Sequence, residues 1–292
     1  MVLAVTTVSA LPLEAIWRAV VLGIVQGLTE FLPISSSAHL KVVPVWLGWG
    51  DPGVSFTAVI QLGSIVAVFA YFWADLQQVG RGIARALRHG QWSDPSARLG
   101  IAMAVGTLPI VLAGLAIKRW IPDYDQSPLR SMASIAVVSI VMALLLALAE
   151  VVGQRRRQLE AVSSADGLWV GLAQALALVP GVSRSGSTLT AALLTGWQRP
   201  DAARFSFLLG LPAITLAGLV ELKDALAEPS AGGPLAMVVG VLAAGVVSWL
   251  AIAWLLRYLQ RHGTWVFVVY RLLFGTAILL WLRQGAPGAT VG

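Results

Sequence analysis

The chain has no cysteine among its 292 residues. That absence excludes a disulfide framework, a thiolate metal site and thiol catalysis. Charge is scarce as well. Asp, Glu, Lys and Arg make up 12% of the residues, against about 25% in a soluble domain. No basic residue precedes Arg18, so the first apolar run lacks the positive start of a secretory signal and is expected to stay in the chain. What the chain has instead is apolar length: 58% of its residues are hydrophobic and its mean hydropathy is +0.81. A soluble core has no use for that much apolar surface, so the composition implies an integral membrane protein with several helical spans. The net charge of +6 and pI of about 10.3 do not point to nucleic acid. The arginines cluster in a few loops, which is the pattern of membrane orientation.

A span needs about 20 mostly apolar residues. Six segments fit: 53–73, 99–117, 131–151, 202–222, 234–256 and 265–283. Two other stretches have apolar arms around a polar centre with proline. One is 13–45, with Glu30, "PISSSAH" and Lys41; the other is 167–196, with "PGVSRSGST". Non-helical backbone at membrane depth is tolerated only inside protein or beside a water-filled cavity. These stretches are therefore expected to be re-entrant helix-turn-helix hairpins, with a pair of kinked spans as the alternative.

The hairpins resemble each other. With one residue inserted after the proline, Ser35 falls opposite Ser183, Ser36 opposite Arg184 and Ser37 opposite Ser185, an offset of 148 residues. Each hairpin is followed by three spans. The expected fold is thus an all-α membrane domain with an inverted-topology repeat, its halves at about 13–151 and 167–283, and with a site where the broken helices meet near the midplane. A further echo, "GTLPIVLAGL" against "GLPAITLAGL", does not fit this register and reads as small-residue packing.

The basic residues orient the layout. Loop 74–98 holds Arg81, Arg85, Arg88 and Arg98; loop 152–166 holds Arg155, Arg156 and Arg157. Arg199, Arg204, Arg257 and Arg261 fall on the same side. Positive-inside places this side in the cytoplasm, and places both termini and the mouth of the first hairpin outside. Glu150, near the end of a span, is expected at the interface.

A charge near the bilayer centre costs at least about 2.5 kcal/mol on insertion scales, so Glu30 and Arg184 need a buried role. Arginine offers a planar fork that fits phosphate. Ser183, Ser185 and the backbone at Gly181 and Gly186 surround it, and a helix restarting there aims its N–H groups at the same spot. Together they describe an anion cradle, with a structural Arg–Glu pair as the alternative. Gln26 and Glu30 are four apart and share a helix face. Glu30 can bind a divalent ion, orient a histidine or act as a base. His39 is three residues after Ser36, which is the minimum for an activated hydroxyl; a packing role is the alternative for a lone histidine. Arg271, in the last span, has three readings open: pairing with an acid, reaching a substrate, or snorkelling to the interface.

The motifs "QGLTEFLPISSSAH" and "PGVSRSGST" together resemble the two signatures of the bacterial undecaprenyl-diphosphate phosphatase family, the bacitracin-resistance type. The resemblance runs the length of the chain. It implies removal of the terminal phosphate of undecaprenyl diphosphate, which recycles the lipid carrier of cell-wall synthesis, in a bacterial plasma (inner) membrane. It implies Ser36 as nucleophile, with Glu30, His39 and Arg184 as its catalytic companions; His39 takes or relays the Ser36 proton, or is itself the nucleophile. Gln26, Ser35, Ser37, Ser183, Ser185 and Gly186 are expected to line the substrate site, and Glu30 to hold Mg²⁺ or Ca²⁺. The partners implied are the lipid substrate and the membrane; a homodimer is allowed. Gln26 stands where many members carry glutamate, which removes one carboxylate from the acidic pair. Ser37 and Ala38 stand where threonine and glycine are common. The rival reading is a lipid flippase or anion transporter using the same cradle, since inverted repeats with broken helices are also a transporter architecture.

Overall fold

In a computed structural model, residues 12–50, 53–121, 124, 127–225 and 233–284 are described. Pro52, Asp123, Asp125 and Gln126 lie outside them. The described residues are helical throughout, apart from short turns and one bridge between Arg157 and Trp197. The order is α1 (Pro12–Phe31), α2 (Ser36–Trp46), α3 (Val54–Tyr71), α4 (Trp73–His89), α5 (Pro95–Trp120), α6 (Met132–Val152), α7 (Ser164–Ala175), α8 (Arg184–Leu194), α9 (Arg199–Ala225), α10 (Gly233–Leu259) and α11 (Trp265–Arg283). Five of them, α5, α6, α9, α10 and α11, are long and apolar enough to cross a membrane. A sixth crossing requires α3 and α4 to be counted as one span, bent by 65°.

Helix α4 departs from the sequence reading, which took 74–98 as a loop. Its polar residues hid it from a search for apolar spans. Its small residues Gly82 and Ala86 are buried, and a Cβ on Gly82 would press on Ser96 and Ala97 at the start of α5. Arg81, Arg88 and His89 are exposed on the other face. Gly90 ends the helix at φ 68, which suits a residue without Cβ. Asp94 then opens α5 by accepting the Ser96 and Ala97 N–H groups.

The long helices are apolar on their outer faces. Leu108, Leu112 and Leu115 on α5, Leu144 and Leu148 on α6, Leu242 and Val246 on α10 and Leu273 on α11 are all exposed. A lipid surround makes this surface stable; water would not. Lipid gives helices no hydrophobic reason to associate, so close contact comes from small side chains. Helix α1 packs on α10 where Gly23 and Gly27 meet Gly240 and Ala244. Helix α7 packs on α5 where Gly167 and Gly171 meet Ala102 and Gly106. The first arm thus rests on a helix of the second half, and the corresponding arm of the second half rests on a helix of the first.

The arginine-rich end is tied together by Glu150. Its side chain is 2% exposed, buried within the protein near the end of α6. It accepts from Arg155 at 2.9 Å, from Arg199 Nε at 3.0 Å and from the Thr264 hydroxyl at 2.9 Å. The carboxylate so joins the end of α6 to the starts of α9 and α11. Arg199→Ala is expected to lower stability by about 1.5–3 kcal/mol, the usual range for a hydrogen bond to a buried charge. Thermal unfolding in detergent measures this, with Arg81→Ala as the neutral control, since Arg81 bonds only a carbonyl of its own helix.

Candidate active site

The two polar stretches are broken helices with matching tips. Pro33 cannot supply an N–H, so α1 ends at Phe31. Ser35 then adopts φ 78 and ψ 102, and α2 restarts at Ser36. In the second stretch Gly181 turns at φ 92, Ser183 adopts φ 70 and ψ 114, and α8 restarts at Arg184. Positive φ in a non-glycine residue costs about 1–3 kcal/mol and persists only where surrounding contacts hold it. Both serines cap the restarting helix. Ser35 accepts the Ala38 N–H at 3.4 Å and Ser183 the Gly186 N–H at 3.1 Å. Each hydroxyl lies 3.2 Å from that of the serine two residues on, Ser37 or Ser185.

Because the tips match, Ser36 and Arg184 hold equivalent places, first in α2 and first in α8. Both reach the same carboxylate. The Ser36 hydroxyl donates to Glu30 Oε2 at 2.8 Å. Arg184 Nη2 donates to Glu30 Oε1 at 3.3 Å. Gln26 Nε2 donates to Oε2 at 3.3 Å and to Ser64 Oγ at 3.4 Å, and Ser248 donates to Ser64 at 2.8 Å. Glu30 and Arg184 are 9% and 10% exposed. Among the described residues, Arg184 Nε and Nη1 have no hydrogen-bond partner. A buried guanidinium with two such donors has the chemistry to bind an oxyanion, and it lies beside a hydroxyl that already leans on a carboxylate.

The other expected site residues are placed differently. Ser185 donates to the Leu32 carbonyl at 3.0 Å, so it serves the broken end of α1. Ser37 is exposed at the tip. The Gly186 N–H is spent on the Ser183 cap, and its missing Cβ makes room for Arg271 Nη1. His39 bonds neither Glu30 nor Ser36; its nitrogens meet the Ser35 carbonyl and the Tyr270 hydroxyl. Among the described residues no group of three or more His, Asp or Glu is clustered for a metal. Glu30 is the carboxylate of the site, and both its oxygens already accept hydrogen bonds.

Two residues essential to this arrangement were not assigned to it by sequence reasoning. Arg271, 1% exposed, neither snorkels nor pairs with an acid. It donates to Pro33 O at 3.2 Å, Val182 O at 3.1 Å, Gly181 O at 2.7 Å and Ser139 O at 3.2 Å, tying both tips to α6. Its signal was a lone charge inside an apolar helix. The second is Gly210 on α9, where a Cβ would overlap Arg184 Nη1. It lies in one copy of the internal echo read as helix packing. That reading holds for Gly106, which meets Gly167, and not for Gly210.

The pattern of Bacitracin resistance protein BacA matches residues 19–277. The chain belongs to that family. Relatives bearing the name undecaprenyl-diphosphatase align over nearly the whole BacA-family chain. The one from Parasynechococcus marenigrum (strain WH8102) is 74% identical over 269 residues, covering 92% of this chain and 94% of its own. That from Synechococcus sp. (strain WH7803) is 72% identical with the same coverage. That from Prochlorococcus marinus (strain MIT 9313) is 69% identical over 273 residues, covering 94% of this chain and 91% of its own.

In this BacA-family site, Gly210→Ala is expected to push the Arg184 fork out of place while leaving the helices intact. Binding of inorganic diphosphate to the detergent-solubilised protein should weaken about tenfold, since one lost charged hydrogen bond is of that size. Calorimetric titration measures it, and unaltered affinity would show that Arg184 does not hold the anion.

Proposed function

We propose that this chain is an undecaprenyl-diphosphatase of a bacterial inner membrane, releasing the terminal phosphate of undecaprenyl diphosphate and returning the monophosphate carrier to cell-wall synthesis. The observation that carries the reading is the meeting of Ser36, Glu30 and Arg184, two of whose guanidinium donors are idle. The family and its undecaprenyl-diphosphatase relatives support the same substrate.

The chemistry follows from the geometry. Arg184 Nε and Nη1 bind oxygens of the terminal phosphoryl group and take up charge as it develops there. Ser36 Oγ attacks that phosphorus while its proton passes to Glu30 Oε2, 2.8 Å away. The Oγ–P bond forms, the bridging P–O bond breaks, and undecaprenyl phosphate leaves. Water then attacks the phosphoserine, giving inorganic phosphate and restoring Ser36. The sequence reading leaves His39 open as base, relay or nucleophile. In this proposal Glu30 takes the role of base, because it is the acceptor that Ser36 touches. Mg²⁺ or Ca²⁺ would be held by Glu30 together with diphosphate oxygens and water, since such ions take oxygen ligands and Mg²⁺ is commonly shared with substrate phosphates. Its contribution would be charge neutralisation on the diphosphate.

The broken helices are, in this reading, re-entrant hairpins of an inverted repeat. The shared tip geometry and the reciprocal rest of α1 on α10 and α7 on α5 support it. The greasy outer faces hold the prenyl tail in lipid while the tips meet its polar head. The first hairpin opens to the periplasmic side and the second to the cytoplasm.

Phosphate release from a prenyl diphosphate by purified protein tests the activity; a transport-only protein releases none. Arg184→Lys keeps the charge and loses the planar fork. Turnover at saturating substrate is expected to fall about a hundredfold, equal to about 3 kcal/mol of transition-state stabilisation. Normal turnover in that variant would sink the cradle. Topology is tested in the cysteine-free background. An impermeant maleimide should label Arg119→Cys in intact cells, and Gln158→Cys only after permeabilisation; both positions are exposed.

A further inference from the structure

His39 has both ring nitrogens committed. Nδ1 lies 2.7 Å from the Ser35 carbonyl. A carbonyl only accepts, so the proton sits on Nδ1. Nε2 then carries the lone pair, and the Tyr270 hydroxyl, 2.6 Å away, donates to it. Aromatic faces hold the ring in plane: Phe274 stacks at 4.2 Å with 10° between planes, and Tyr270 lies parallel at 5.6 Å. The imidazole is 4% exposed.

The carbonyl that His39 grips belongs to the strained residue next to Ser36. Its ordinary helical bond is long, with the His39 N–H at 3.3 Å. At the matching tip, Ser183 O accepts the Ser187 N–H at 2.9 Å. The residue 148 positions after His39 is Ser187, whose hydroxyl turns to Arg184 O instead. The two tips share a backbone shape, yet the imidazole clamp is present only on the tip that carries the attacking serine. That tip must present an oxygen in line with phosphorus, where a misplacement of about 1 Å costs on the order of a hundredfold. The other tip presents a long arginine, which adjusts through its own torsions.

We infer that Tyr270 is a positioning residue for the phosphatase: its hydroxyl, donating to His39 Nε2, holds the imidazole so that the Nδ1 proton clamps the Ser35 carbonyl and Ser36 faces the phosphorus. The inference rests on the proposed phosphatase activity. It makes His39 a clamp rather than a proton acceptor, since its lone pair is already occupied by Tyr270.

Four variants and one spectrum test it. Tyr270→Phe keeps the ring and its stacking and removes only the hydroxyl. Its kcat is expected to fall about tenfold, with KM changed less than about twofold. His39→Asn places an amide N–H near the position of Nδ1, where it can donate to Ser35 O, and should retain about tenfold more turnover than His39→Ala. In the His39→Asn background Tyr270→Phe should have no further effect, because the coupling runs through the imidazole. Equal inactivity of folded His39→Asn and His39→Ala would overturn the clamp, as would full kcat in Tyr270→Phe. The ¹⁵N spectrum of His39 in the wild-type protein reads the tautomer independently of turnover. A proton on Nδ1 is expected; a proton on Nε2 overturns the inference whatever the variants do. Wild-type phosphate release is measured alongside. Its absence would remove the phosphatase reading, while the tautomer would still report on the clamp.

Discussion

Arg271 donates to four backbone carbonyls, and both broken helices depend on that contact. A helix satisfies its own carbonyls; a helix that stops inside an apolar protein leaves its last ones open. Lone buried carbonyls are costly, and no water is at hand in a bilayer to meet them. The turns beyond the helix ends leave carbonyls open as well, at Pro33, Gly181 and Val182, and a single planar guanidinium reaches all three. A lysine could present only a point charge from one nitrogen. Ser185 does the same service for Leu32. With these bonds made, the chain can break two helices at one place and bring their restarting ends together.

Those restarting ends share a backbone and differ in side chains. Ser35 and Ser183 have nearly the same φ and ψ and the same capping contacts. The next residue is serine in one and arginine in the other, and both meet Glu30. With Pro33 opposite Pro180, the position matching Glu30 in the second half is Ala177, so there is one carboxylate and not two. Two tips of one backbone shape therefore carry different side chains. One half contributes the hydroxyl and its acceptor, and the other contributes the cation. The same division appears at His39 and Ser187, where the matching residue of the second tip makes a local bond only.

The arginine-rich end is built on another principle. Glu150 is buried and receives two arginines and a threonine. Asp166 receives both Nη atoms of Arg157 at 2.7 Å, and Arg157 also lies over the Trp197 ring. These contacts join the entry and exit of the second broken helix to the rest of the bundle. At the corresponding turn of the first, Gly48, Gly50 and Gly53 have positive φ, and a Cβ on any of them would meet nothing within 4 Å among the described residues. Arg18 lies over the Trp49 ring.

Much of this was legible before any coordinates. Long apolar runs declare spanning helices because the bilayer sets their length, and α11 begins and ends where the hydropathy placed it. Glu30 and Arg184 stood out because charge is expensive in apolar surroundings, and the serines stood out because their two runs could be aligned. The motifs led to the right family. What the sequence could not decide were relations between residues far apart along the chain. Helix α4 was missed because its polar residues fail a search for long apolar runs, although its helical amphipathic pattern is present in the sequence. Gly210 is one small residue among many, and its closeness to Arg184 exists only once α8 and α9 pack. His39 is near Ser36 in sequence, yet its partner Tyr270 comes from the last helix, so the direction of its ring was settled by tertiary contact. Local chemistry and the bilayer's demand for apolar length are written in residue order. Which donor meets which acceptor in a buried site is set by how the helices pack.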